Sequence, residues 1–342
     1  MYDKLMKHMA VSGVIFFVIA MSIMLYTAFC TTTDIKEGSE INPETELVKE
    51  EDTKINDKKI LNIAPEGSEQ EYLCIPLSAD ITEEHLILEA NYVEHQLYIT
   101  IDGLEEDFYE NNRITGNSSY IDKILYSYHK GKTKLQMQLS GLYEHNAFCK
   151  NNTLYLEFNL PREQYDKIIV LDADNFPGDI PLSILKRLKE KLDQTDIKVY
   201  YTRLDASNPS EEKRVALANL SKADMLISIR VNNEIENPEK YGIQTVYNAN
   251  FFIPRLSSVD LADIIEKNVC RETGGTARGL IAADTNRILV NNASVPVSVI
   301  EVGYVSNKKE KGLLEDDSYV DKLAEGIYNG IIDAYSILNK QE

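Results

Sequence analysis

The sequence contains only five histidines, and none of them lies beyond His145. The chain after that residue therefore offers no imidazole to act as a metal ligand or as the base of a Ser–His or Cys–His catalytic pair. Only four cysteines are present, and none has a partner at CxxC or similar metal-ligand spacing. For Cys270, the absence of a nearby histidine favours a core position over a nucleophilic role.

Basic residues are few compared with acidic ones. The chain has 36 Lys and Arg against 55 Asp and Glu, which gives a formal net charge of −19. Phosphate backbones repel such a surface, and binding them requires clustered cations, so we expect no nucleic-acid partner. The charge also disfavours docking on anionic lipid headgroups. At 342 residues, the chain can hold two ordinary domains.

Cys74 and Cys149 lie near opposite ends of one predicted small domain. If that domain is outside the cell, they could form a disulfide that closes a loop of about 75 residues and contributes roughly 4 kcal/mol. The alternative is two unpaired thiols, which are common in protein interiors.

The N-terminus carries one uncharged stretch, residues 9–30, preceded by Lys4 and Lys7. About 20 apolar residues span a hydrocarbon core of about 30 Å, and lysines on the short flank place it in the cytoplasm. We therefore expect residues 1–30 to be a cytoplasmic tip and a single-pass transmembrane helix, with the C-terminal domains extracytoplasmic at the cell membrane. A signal peptide cleaved near Ala28 and a lipidated Cys30 are the alternatives.

Residues 31–59 are acidic and poor in apolar side chains, which predicts a flexible linker. Residues 60–162 then alternate with period two, as in Leu97, Ile99 and Ile101, and this pattern indicates half-buried strands. We predict a small all-β, sandwich-like domain. Its segments 132–139 and 153–160 loosely resemble the end of the AMIN domain, a β-sandwich that precedes some cell-wall amidases. A generic β spacer is the alternative.

Residues 163–342 alternate between strands and helices. Residues 167–172 and 224–229 contain short apolar runs typical of buried strands, and Leu182, Leu185 and Leu188 form a helical stripe after Pro181. The pattern predicts the α/β class, with helices flanking a mixed sheet.

Several motifs of this region occur in a fixed order. Thr202-Arg203-x-Asp205 is followed by Arg214, Ala218-Asn219, Ala223-Asp224-x-x-Ile227-Ser228-Ile229 and Glu301-Val302-Gly303-Tyr304. Over residues 166–338 this order resembles the catalytic domain of zinc-dependent N-acetylmuramoyl-L-alanine amidases of the Amidase_3 type. The resemblance implies an amidase-like fold and action on peptidoglycan, with Glu301 as the general base. The supporting positions would be Asp172, Arg203, Asp205, Arg214 and Asn219.

The resemblance does not extend to the metal ligands. The family's two histidine ligands match Asn175 and Arg230, and no counterpart of its glutamate ligand stands at the start of the following helix. Asn is a poor zinc ligand and a protonated Arg cannot be one, whereas catalytic zinc needs three ligands and an open position. We therefore expect no cofactor here, although zinc is expected for the family. Alternatively, Asp172, Asp174 and Glu301 could bind a hard cation such as Ca²⁺ or Mg²⁺.

Loss of zinc would have a large chemical consequence. Zinc lowers the pKa of bound water from about 15.7 to about 7, which corresponds to roughly 12 kcal/mol of nucleophile availability. A general base such as Glu301 supplies only about 10²–10⁴-fold. We also expect the Arg230 guanidinium to replace the metal's charge and to hydrogen-bond Glu301 or Asp172.

The sequence therefore favours a membrane-anchored, extracytoplasmic protein of peptidoglycan remodelling that binds the wall or a cell-envelope protein without cleaving it. The alternatives are an active N-acetylmuramoyl-L-alanine amidase with an atypical metal site and a scaffold in wall assembly.

Overall fold

The computed structural model describes residues 58–64, 71–175, 179–249 and 255–339. The predicted transmembrane segment and all but the last two residues of the predicted linker lie outside these ranges. No helix within the described ranges combines the length and the apolar character that crossing a bilayer requires. The described residues form one compact unit.

Residues 59–159, here called the β region, form two antiparallel sheets around one core. Their strands are β1 (Lys59–Leu61), β2 (Leu73–Pro76), β3 (Leu86–Asn91), β4 (Gln96–Asp102), β5 (Thr115–Gly116), β6 (Ile121–His129), β7 (Lys132–Leu139), β8 (Glu144–Lys150) and β9 (Thr153–Asn159), with a short helix α1 (Phe108–Asn111). One sheet has the order β1-β6-β7-β4-β3 and the other β5-β2-β9-β8.

The predicted alternation is confirmed in these strands. In β4, Leu97, Ile99 and Ile101 are buried, whereas the residues between them are partly exposed. This pattern follows from the period of two in a pleated strand, which sends successive side chains to opposite faces.

Strands β7 and β9, which carry the AMIN-like segments, belong to different sheets. The resemblance to the AMIN domain stays a prediction. Cys149 is a free thiol in the structure, so its disulfide with Cys74 is not formed.

Residues 161–339, here called the α/β region, contain a six-stranded sheet with helices on both faces. The elements are α2 (Pro161–Gln164), β10 (Ile168–Ala173), α3 (Ile180–Leu192), β11 (Lys198–Tyr201), α4 (Glu211–Leu220), β12 (Met225–Asn232), β13 (Ile243–Tyr247), α5 (Ser258–Thr273), β14 (Ala277–Ala282), α6 (Ile288–Asn291), β15 (Val297–Tyr304), α7 (Lys308–Leu314) and α8 (Asp317–Asn339).

The sheet has the order β11-β10-β12-β15-β13-β14. Strand β13 runs antiparallel to β15, and the other neighbours are parallel, so the predicted mixed sheet is confirmed. In β10, Ile169 and Leu171 face the core that holds α3, α5 and α8, while Ile168 and Val170 face the core of α4 and α6. A strand covered on both faces is largely apolar, which is why residues 168–171 form a continuous hydrophobic run.

Candidate functional site

Three neighbouring parallel strands bring the predicted site residues to one edge of the sheet. Asp172 on β10 is the register partner of Ser228 on β12, and Arg230 on β12 is the register partner of Glu301 on β15. The carboxyl ends of these strands therefore meet, which is where open α/β sheets place their ligands. The charged side chains Asp172, Asp174, Arg230 and Glu301 are here called the strand-end cluster.

Asp172 is fully buried, and each of its carboxylate oxygens accepts a hydrogen bond. The hydroxyls of Thr202 and Ser228 each donate to one of its oxygens at 2.6 Å. The Arg214 guanidinium lies 3.6 Å from the same carboxylate. This arrangement satisfies a buried charge by the pairing and hydrogen bonding that such a charge requires.

Arg214, at the buried face of α4, links two acidic residues. Its Nη1 lies 3.6 Å from Asp172 Oδ1 and 3.3 Å from Asp174 Oδ1, and its Nε donates to the Pro209 carbonyl at 2.8 Å. A guanidinium between two carboxylates neutralises part of their mutual repulsion. Arg214 therefore fixes the end of β10 and the start of α4 in one charge network.

Arg203 holds the backbone that leaves β10. Its buried side chain donates to the carbonyls of Ala173 and Asp174, each at 2.8 Å, and lies 3.2 Å from the Asp179 carboxylate. It contacts Asp205 only through that residue's carbonyl. The Asp205 carboxylate accepts hydrogen bonds from Ser207, and these interactions lower the pKa of Asp205.

Asn219 fixes a loop, and its hydrogen bonds go to Asn292 and Ser294 and not to the strand-end cluster. Its amide donates to the Asn292 carbonyl at 2.9 Å, and its Oδ1 accepts from both the backbone N–H and the hydroxyl of Ser294 at 2.8 Å. These bonds secure the segment between α6 and β15. The role is structural.

Glu301, the predicted general base, is 3% exposed. Its Oε2 accepts from the side-chain amides of Asn232, at 2.7 Å, and Gln244, while Arg287 Nη1 lies 3.5 Å from Oε1. A carboxylate has about four lone-pair positions, and these donors take most of them. A water molecule activated by Glu301 would have to compete with side chains already bound there.

Arg230 makes a different ion pair from the one the sequence predicts. Its Nη2 donates to Glu211 Oε1 at 2.9 Å, and the prediction of a hydrogen bond to Glu301 or Asp172 is wrong. Those two carboxylates are engaged by other donors, whereas Glu211 lies at the start of α4 within reach. Burial lowers the pKa of Arg230, but the carboxylates of Asp174, Glu211 and Asp172 outweigh it and leave the pKa raised.

The donor atoms at this edge do not fit zinc. Asn175 is an exposed residue at the end of β10, Arg230 is a cation, and both buried carboxylates are already hydrogen-bonded. Within the described ranges, no three His, Cys, Asp or Glu side chains are arranged to hold a metal ion. The alternative of a hard cation at Asp172, Asp174 and Glu301 fails too, since arginines neutralise these residues.

Four residues that complete the network were missed by the sequence analysis: Glu211, Asn232, Gln244 and Arg287. Gln244 could have been found from the sequence, because it is a polar residue within a buried strand. Glu211 and Arg287 have no such feature in the sequence. They lie at a helix start and just before a short helix, where charged residues are ordinary.

Comparison with known proteins shows what the α/β region is similar to. Residues 178–333 match the model of the N-acetylmuramoyl-L-alanine amidase family. This match confirms the resemblance that the order of motifs predicts. The matched residues include Arg203, Arg214, Arg230 and Glu301.

Two curated relatives come from Bacillus subtilis (strain 168). A germination-specific N-acetylmuramoyl-L-alanine amidase is 28% identical over 212 residues, covering 53% of this chain and 84% of the relative. The uncharacterized protein YqiI is 26% identical over 160 residues, covering 47% and 74%. Among solved structures, the catalytic domain of the amidase CwlV from Bacillus (Paenibacillus) polymyxa var. colistinus is 26% identical, with a TM-score of 0.45, over 50% of this chain and 99% of that one.

Proposed function

We propose that this protein binds peptidoglycan through its amidase-family domain without hydrolysing the muramoyl–alanine amide. The observation that carries the proposal is the arginine compensation of the acidic residues at the sheet edge. Arg214 lies beside Asp172 and Asp174, Arg230 pairs with Glu211, and Arg287 lies beside Glu301. Positive charge that a metal would bring is supplied by side chains that cannot bind or activate water as a metal does.

The magnitude of the missing contribution supports binding over catalysis. Metal activation of water is worth roughly 12 kcal/mol by its pKa change, whereas general-base catalysis supplies about 10²–10⁴-fold. The donors around Glu301 reduce even that contribution, because they occupy the oxygens that would accept a proton. Without a metal ion to activate water, this site lacks the largest contribution to amide hydrolysis at an enzymatic rate.

The proposal includes a location. Residues 9–30 would anchor the chain in the cell membrane as a single span, and the β and α/β regions would lie outside the cytoplasm. The uncharged run and the lysines before it support this arrangement. The ligand would then be the peptidoglycan layer, with a cell-envelope protein as a further partner.

The test is co-sedimentation of the full chain with insoluble peptidoglycan, with simultaneous measurement of released stem peptide in zinc-supplemented buffer. A known N-acetylmuramoyl-L-alanine amidase serves as the positive control for release. We expect the protein to pellet with the wall while release stays at the level of the protein-free blank. A Glu301→Gln variant should pellet and behave in the same way.

Peptide release above the blank that falls in Glu301→Gln would identify an active amidase with an atypical site and contradict the proposal. Absence of the protein from the pellet would also contradict it and favour a scaffold that does not contact the wall.

A further inference from the structure

The outward face of the five-stranded sheet in the β region carries a groove of about 390 Å³. Its lining residues come from β4, β6 and β7 and from the residue before β1: Lys58, Tyr98, Leu125, Ser127, Lys134 and Gln136. Register explains the grouping, since Tyr98 pairs with Gln136, which pairs in turn with Leu125. Residues opposite one another in a sheet share a face.

The groove combines an aromatic ring with cations. Lys134 Nζ lies 4.6 Å from the centroid of the Tyr98 ring, and Lys58 Nζ donates to Gln136 Oε1 at 3.0 Å. None of the six lining residues is acidic, although Glu89 on the edge strand β3 is the register partner of Tyr98. In a chain with a net charge of −19, two lysines beside an aromatic platform form a local site of opposite sign.

We propose that this groove binds glycan strands that bear carboxylates, namely the strands left when stem peptides have been removed from peptidoglycan. The inference rests on the proposed function to the extent that the wall is the ligand. A tyrosine face packs against the apolar face of a sugar ring, while amide and hydroxyl groups bond to sugar hydroxyls. The two ammonium groups complement carboxylates.

The chemistry of stem-peptide removal supplies that charge. An active amidase breaks the C–N bond between the muramoyl carbonyl and the L-alanine nitrogen, and water donates its oxygen to the carbonyl carbon. The products at neutral pH are a carboxylate on the sugar and an ammonium group on the peptide. Each cleaved muramoyl unit therefore gains one negative charge on the glycan itself, within reach of a surface that contacts the sugar.

The experiment is a binding titration of the full chain against three probes: intact peptidoglycan, amidase-stripped glycan, and stripped glycan whose carboxylates are converted to methylamides. We expect the stripped glycan to bind at least about fivefold more tightly than the methylamide form, with the difference shrinking as salt rises. The double variant Lys58→Gln/Lys134→Gln should lose that preference, and Tyr98→Ala should weaken binding to every form of the glycan.

Matched controls keep the test specific. Lys150→Gln/Lys267→Gln removes the same charge at exposed positions elsewhere, and Tyr155→Ala removes an aromatic ring from the other sheet. Both should bind as the unaltered chain does. Groove variants that bind like these controls would overturn the inference, as would tighter binding to a soluble poly(glycerol phosphate). Wall binding by the unaltered chain would still support the proposed function in either case.

Discussion

At the scale of single residues, the strand-end cluster shows how a carboxylate-rich edge is kept neutral by guanidinium groups. The Arg230 side chain is 15% exposed and forms an ion pair with Glu211. Arg214 lies beside the carboxylates of Asp172 and Asp174. Charges at such depth are stable only when they are paired and hydrogen-bonded. Each arginine is therefore expected to stabilise the fold.

Replacement of Arg230 by methionine tests this role. The variant leaves Glu211 without its partner and removes positive charge near Asp174 and Asp172, so we expect a loss of about 2–4 kcal/mol in the free energy of unfolding. Lys213→Met on the same helix is the control, because its ion pair with Glu94 is exposed and should cost less than about 1 kcal/mol. Urea denaturation measures both. Equal, small losses would show that Arg230 does not compensate buried charge.

The sequence predicted where the residues of the strand-end cluster lie better than it predicted their hydrogen bonds and ion pairs. Apolar runs ending at Asp172, Ser228-Ile229-Arg230 and Glu301 identified three buried strands, and parallel strands bring such ends together. The partner of Arg230 was predicted wrongly, because the choice among several carboxylates depends on side-chain reach across helices. Glu211 gains its role from the placement of α4, which no local pattern reveals.

At the scale of elements, the packing of α5 against α8 depends on two glycines. A Cβ at Gly326 would lie 2.6 Å from Val269 Cα, and one at Gly330 would lie 2.7 Å from Ile265 Cδ1. At Gly326 the helices approach too closely for any side chain, whereas at Gly330 an added methyl group would require the Ile265 side chain to move. The sequence does not reveal this close approach, because it depends on which helix lies opposite α8.

Gly326→Ala should destabilise the protein strongly. The added methyl group meets backbone atoms that cannot rotate away, so the two helices must separate, at a cost of about 1–3 kcal/mol or more. Gly312→Ala in α7 is the control, because nothing lies within 4 Å of its added Cβ and alanine favours a helix by roughly 0.5–1 kcal/mol. Thermal unfolding should move in opposite directions for the two variants, and a stable Gly326→Ala would contradict the packing.

At the scale of the whole molecule, a buried carboxylate joins the β region to the α/β region. Glu144 on β8 is 4% exposed and accepts from the hydroxyls of Tyr92 and Tyr200 and from Lys198. Lys198 Nζ also lies about 5 Å from the rings of Tyr92, Tyr200 and Tyr165. Burial beside Glu144 raises the pKa of Tyr165 to about 12, so its hydroxyl stays protonated at physiological pH.

This junction was not foreseen in the sequence. The composition indicated two domains divided near residue 162, and the alternation in each was read correctly. Contacts between Glu144 and Lys198 join residues far apart in the chain, and neither residue stands out in its own strand. The tyrosines that surround the lysine show no periodic pattern. Polar pairs between distant residues form only when complete strands and helices pack together. Residue propensities and hydrophobic periodicity do not determine that packing.

We expect the α/β region not to hold catalytic zinc. The measurement is elemental analysis of the full chain, purified in zinc-supplemented buffer without affinity-tag histidines. The donor set of Asn175, Arg230 and two hydrogen-bonded carboxylates predicts near-zero zinc per chain. About one tightly held zinc per chain, retained through dialysis, would contradict the account.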